Sequence, residues 1–86
     1  MLSGEIDIAT APGIERQLQE AESCGRQTIV LDLAAVDFID STGVHILIRA
    51  QHRADANGRR LVLTRIPAQA QRLFAITGIT ELFTIE

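Results

Sequence analysis

Tryptophan and tyrosine are missing from this chain, and its only aromatic residues are three phenylalanines. A protein that grips single-stranded nucleic acid stacks the bases on interleaved aromatics, so that mode of binding has little to work with here. Positive charge is not concentrated either. Eight arginines are scattered among eleven carboxylates, for a net charge of -3, which leaves no basic footprint for a phosphate backbone. Cys24 is the only cysteine, which excludes an intramolecular disulfide and a cysteine-based zinc cluster and fits a reducing cytosol. No segment approaches the roughly 20 apolar residues needed to cross a bilayer. The opening "MLSGEIDIAT" lacks the basic region and continuous apolar stretch of an export signal, so the chain is read as cytoplasmic. Its glycines each punctuate an element and form no Walker or dinucleotide fingerprint, so no cofactor is implied.

What is present is aliphatic. Hydrophobic residues make up 47% of the 86 and charged residues 22%, a globular composition that leaves the core to Ile, Leu, Val and Ala. The length predicts a single domain over residues 1–86, burying only about 60% of the surface its unfolded form exposes.

Leu2, Ile6 and Ile8 alternate with Glu5 and Asp7, the period of two expected of a strand with one buried face, ending near Ala9. Thr10 then offers a capping hydroxyl and Pro12 a first-turn proline. Ala11, Ile14, Leu18 and Ala21 follow at helical spacing until Gly25, predicting a helix over residues 11–24. "TIVLDL", residues 28–33, is nearly continuous in apolar residues and reads as a central strand covered on both faces. Val44, Leu47, Ile48 and Gln51 form one stripe, with His45, Arg49, His52 and Arg53 on the polar side and Asn57-Gly58 as terminator, predicting a second helix over residues 42–56. "RRLVLTRIP" reads as a third strand, Leu73, Phe74 and Ile76 as part of a short helix closed by Gly78, and "LFTIE" as a last strand. The order β-α-β-α-β-α-β predicts an α/β sandwich: a mostly parallel or mixed sheet of about four strands with helices packed against it. Ile29, Leu31, Leu33, Val44, Leu47, Ile48, Leu61, Leu63 and Phe74 are expected to share one core.

"FIDSTGVHILI", residues 38–48, places a carboxylate, two hydroxyls and a glycine between two apolar runs. In an open α/β sheet such a loop lies beyond the carboxyl end of a strand, where functional groups gather. The plainest role for Asp40 or Ser41 is to cap the helix that follows, since both residue types accept a hydrogen bond from a first-turn amide. A hydrolase would need a base for Ser41. His45 lies one turn along, but there is no G-x-S-x-G elbow and no carboxylate placed to orient the imidazole. His45 and His52 lie seven apart on one helix with no third metal ligand nearby, the pattern of solvated side chains.

Three blocks in order, "LSGEIDIATA", "IVLDLAAVDFIDSTGVHILI" and "LVLTRIPAQAQRLFAITGITELF", resemble the signature blocks of the STAS domain, the family of anti-sigma factor antagonists and sulfate-transporter cytoplasmic domains. The resemblance covers nearly the whole chain. It implies a small STAS-like fold, here without the extra strand that usually precedes the G-E-[IL]-D block and the helix that usually follows the last strand. It also implies a non-enzymatic switch with an anti-sigma factor serine kinase as partner and a serine phosphatase to reset it. By the same resemblance Ser41 is the phosphorylated serine, and Asp7, Asp40, Thr42 and Gly43 join it in the partner-binding surface. The alternative within the family is an accessory or scaffold subunit of a lipid-transport ATPase or a stress-signalling assembly. Without a preceding strand, residues 2–8 are expected at an open sheet edge, where a second copy could pair to form a homo-dimer.

Overall fold

The computed structural model describes residues 3–25 and 27–86. Strand β1 (Ser3–Ile6) leads to helix α1 (Ala11–Ser23). Strands β2 (Thr28–Asp32) and β3 (Ala35–Ile39) follow, then helix α2 (Ser41–Ala56), strand β4 (Arg60–Thr64), helix α3 (Ala68–Thr77), a 3-10 turn (Thr80–Leu82) and strand β5 (Thr84–Ile85). All described pairings are parallel: β1 lies beside β3, and β2, β4 and β5 form a second group in that order. The α/β layering and the three helices are those expected. The helix limits agree to within a residue for α1 and α2.

Five strands are present among the described residues rather than four, because "IVLDLAAVDFI" is two strands. The Asp32 carboxylate accepts the Ala34 amide at 2.9 Å and Val36 N donates to the Leu33 carbonyl at 3.0 Å, so the chain turns between them. The break lets the first half pair with β4 and the second with β1.

The two-sided burial expected of residues 28–33 belongs to β4 instead. In β2 only Ile29 and Leu31 are buried, Thr28 and Val30 being exposed, whereas Leu61, Val62 and Leu63 of β4 are all buried. Among the described residues β4 also lies between two strands and β2 beside one. A run of β-branched residues fits either place, so its composition does not report the second layer.

Strand β1 stops at Ile6, three residues before the expected Ala9. The Asp7 carboxylate accepts the amides of Ala9 and Thr10 at 3.0 and 3.1 Å, folding residues 7–10 into a turn. Ile6 is therefore fully buried while Ile8 is 78% exposed; Leu2 lies outside the described residues. Thr10 precedes α1 without capping it. Its hydroxyl instead donates to the Glu5 carbonyl at 2.8 Å and accepts the Asp7 amide at 3.0 Å.

Of the nine residues expected to share a core, eight are buried in one cluster and Ile48 packs partly buried against it. Ile6, Ile14, Leu18, Val36, Ile39, Ile46 and Ile66 join them, with Ala50, Ala54 and Ala70. Two ion pairs tie α1 to α2, Glu15 with Arg49 and Glu22 with Arg53, the latter at 2.9 Å. A third, Asp32 with Arg65, joins the end of β2 to the loop after β4. The Arg65 guanidinium, followed by the Ala34 amide, lowers the Asp32 pKa from its ordinary value of 3.8. No helix among the described residues is long and apolar enough to cross a membrane.

Candidate functional site

The loop between β3 and α2 is built from three sides. Parallel pairing places Ile6 of β1 opposite Ile39 of β3, and the ladder runs one step further, Asp40 N donating to the Ile6 carbonyl at 3.2 Å. Asp7 and Asp40 are thus the first residues past the carboxyl ends of two neighbouring strands, which brings together carboxylates 33 positions apart in the chain. Asp7 spends one oxygen on its own turn, as described above.

Asp40 is the N-cap of α2. Its backbone is extended (φ -110°, ψ -170°) and its Oδ1 accepts the Gly43 amide at 3.1 Å, while Val44 N donates to the Asp40 carbonyl at 3.0 Å. The expected capping role falls to Asp40 and not to Ser41. Ser41 is the first helical residue, exposed, with its hydroxyl outside the cap. It stands where the unpaired amides of a helix start and the positive end of the helix dipole favour an anion. Thr42 is half-buried and Gly43 buried.

Gly43 is required by a close approach. A Cβ there would lie 2.5 Å from Ile39 Cγ1, 2.7 Å from Ile6 Cγ2 and 3.0 Å from the Ile6 carbonyl oxygen. The first turn of α2 therefore sits directly on β1 and β3, and a bare Cα permits that contact.

On the edge of β3 away from β1, Gln69 of α3 takes the place of a strand. Ile39 N donates to Gln69 Oε1 at 3.1 Å, and Gln69 Nε2 donates to the Ile39 carbonyl at 2.9 Å. Sequence reasoning missed this residue, which lies 30 positions away in a helix recognised only by its apolar spacing. A polar residue just after Pro67 carries no mark of what it will meet.

The structure thus assembles all five residues singled out in the sequence, Asp7, Asp40, Ser41, Thr42 and Gly43, at one end of the β1–β3 pair. His45 and His52 are both exposed on α2, and no group of three or more His, Cys, Asp or Glu among the described residues is arranged to hold a metal ion. Two apolar side chains adjoin the acidic ones along the chain, Ile8 after Asp7 and Phe38 two residues before Asp40, at 78% and 43% exposure.

The family model of the STAS domain matches residues 1–86. An anti-sigma-B factor antagonist of Staphylococcus aureus is 29% identical over 84 residues, spanning 98% of this chain and 78% of the relative. Among solved structures, an anti-sigma factor antagonist from Mycobacterium paratuberculosis superposes with a TM-score of 0.84 at 28% identity, over 96% of this chain and 70% of that one. The anti-sigma factor antagonist SpoIIAA in its unphosphorylated form gives 0.72 at 21% identity, over 99% and 74%, a likeness of fold.

Proposed function

Because the chain belongs to the STAS domain family, we propose that it is an anti-sigma factor antagonist: a cytoplasmic, non-enzymatic binding module that holds an anti-sigma factor serine kinase, frees a sigma factor, and is released when Ser41 is phosphorylated. A serine phosphatase would return it to the binding form. The observation that carries this reading is the division of labour at the start of α2. Asp40 supplies the cap, so the exposed Ser41 hydroxyl is left available as an acceptor at a helix N-terminus. The names of the relatives point the same way.

The electrostatics suit a switch that spares the fold. Phosphorylation adds about 1.5 to 2 negative charges. The helix terminus offsets part of that charge locally, while the adjacent Asp40 adds to it. Two like charges about 5 Å apart repel by roughly 1 to 3 kcal/mol at effective dielectric constants between about 80 and 20. A partner surface that docks on Ile8, Phe38 and the loop would meet that potential, losing one to several decades of affinity. None of the core contacts is touched.

The test is mass spectrometry of the protein isolated from its own cell with its co-purifying chain, followed by reaction of wild type and variants with that partner and ATP. Phosphate on Ser41, Ser41→Ala binding without being modified, and Ser41→Asp binding more weakly are expected. Phosphate on Thr42, or Ser41→Asp binding as tightly as wild type, would overturn the assignment. A transporter subunit co-purifying in place of a kinase would do so as well.

A further inference from the structure

We propose that Gln69 is the positioning residue of the Ser41 site, an inference that rests on reading Ser41 as the phosphoacceptor. Successive residues of a strand direct their amide and carbonyl groups to opposite edges. Asp40 N faces β1 and finds the Ile6 carbonyl, so Ile39 directs both of its polar groups the other way, where β3 has no neighbouring strand among the described residues. An amide and a carbonyl left there unpaired and partly buried would be costly. The Gln69 side chain meets both at once, at 3.1 and 2.9 Å. Glutamine carries the donor and acceptor of a peptide group, and α3 presents them as a one-residue substitute for a strand.

The consequence lies two residues further on. Ser41 is reached from Ile39 through Asp40, whose amide is held by β1 and whose carboxylate is held by the Gly43 amide. With Gln69 holding Ile39, the backbone entering the acceptor is anchored by β1, α2 and α3. In-line phosphoryl transfer depends on the placement of the attacking oxygen, and an error of about 1 Å can cost about 100-fold in rate. Val44, Ile46, Leu47 and Ala50 of α2 are held in the core cluster. Loss of the Gln69 bonds should therefore loosen the acceptor loop while leaving Ile8 and Phe38, the apolar part of the proposed docking surface, exposed as before.

The experiment compares wild type with Gln69→Met, which keeps length and apolar bulk but neither bond, and Gln69→Glu, which keeps the acceptor and loses the donor. Amide hydrogen exchange is followed at Ile39 and Gly43, with Leu63 in β4 as the reference for global opening. Phosphorylation kinetics are measured with the anti-sigma factor serine kinase that co-purifies with the protein from its own cell. In Gln69→Met, exchange at Ile39 and Gly43 should quicken about tenfold relative to Leu63, and kcat should fall about tenfold with KM within about twofold; Gln69→Glu, which sets a carboxylate oxygen against the Ile39 carbonyl, should loosen the site at least as much. Exchange at the site that is unchanged, or that rises only in step with Leu63, would overturn the proposal. So would an unchanged kcat with a loosened loop. If Gln69→Met does not fold, the same criteria apply to Gln69→Glu. A wild-type control that gains no phosphate on Ser41 refutes the functional reading, and is distinguishable because the exchange arm needs no kinase.

Discussion

Replacing Gly43 with alanine sets two effects of opposite sign against each other. Helix propensity alone favours alanine over glycine by about 0.8 to 1.0 kcal/mol in a helix interior. Against it stands the close approach of α2 to the strands. The new methyl would meet Ile39 Cγ1 at 2.5 Å, Ile6 Cγ2 at 2.7 Å and the Ile6 carbonyl oxygen at 3.0 Å. Both isoleucines are fully or almost fully buried, and β-branching restricts their rotamers, so neither can swing aside cheaply. The carbonyl is backbone and also accepts the Asp40 amide, so lifting the helix off it strains the same junction. Overpacking of this kind costs about 1 to 3 kcal/mol, and contact with three groups at once argues for the upper part of that range. The net expectation is a loss of about 1 to 2 kcal/mol, or roughly 4 to 16 °C in Tm for a domain of this size, read by urea and thermal unfolding. Slower phosphorylation of Ser41 should accompany it, because the Asp40–Gly43 cap would open. A Gly43→Ala protein as stable as wild type, or more stable, would refute the reasoning and show that the helix start tolerates displacement.

Four further outcomes follow from named contacts. Leu31→Ala, in a strand whose Leu31 is 7% exposed, should cost roughly 2 to 5 kcal/mol; an unchanged urea midpoint would mean that β2 is misplaced. Asp40→Ala should lose about 0.5 to 2 kcal/mol as the cap is removed, whereas Ser41→Ala, which takes no cap away, should stay within about 0.5 kcal/mol of wild type. Equal losses in the two variants would place the cap on the wrong residue. The lowered pKa of Asp32 means that its link to Arg65 contributes above the ordinary pKa of 3.8 and is lost as pH falls below that value. Asp32→Asn should therefore flatten the acid limb of a stability–pH curve below about pH 5 and leave its shape above that unchanged. Finally, β1 has β3 on one side and no second neighbour among the described residues, so concentration-dependent self-association is expected in sedimentation; a single monomeric species at high concentration would count against it.

The helices and the core stripe were legible because periodicity is local. Ile14 and Leu18, or Val44 and Leu47, declare a buried face through spacing alone, and the structure buries all four. The loop motif at residues 40–43 was legible for the same reason, since carboxylate, hydroxyls and glycine at a helix start have meaning in their own order. Three features needed the third dimension. Which of Asp40 and Ser41 caps α2 depended on a backbone angle and one oxygen, and both residue types suit the task. Whether a β-branched run is covered on one face or on both depended on what packs over it, and β4 rather than β2 is buried on both. The hold on the acceptor loop came from α3, because burying polar backbone obliges the fold to find a partner wherever one is within reach. That partner, Gln69, is adjacent to Ile39 only after the chain has folded.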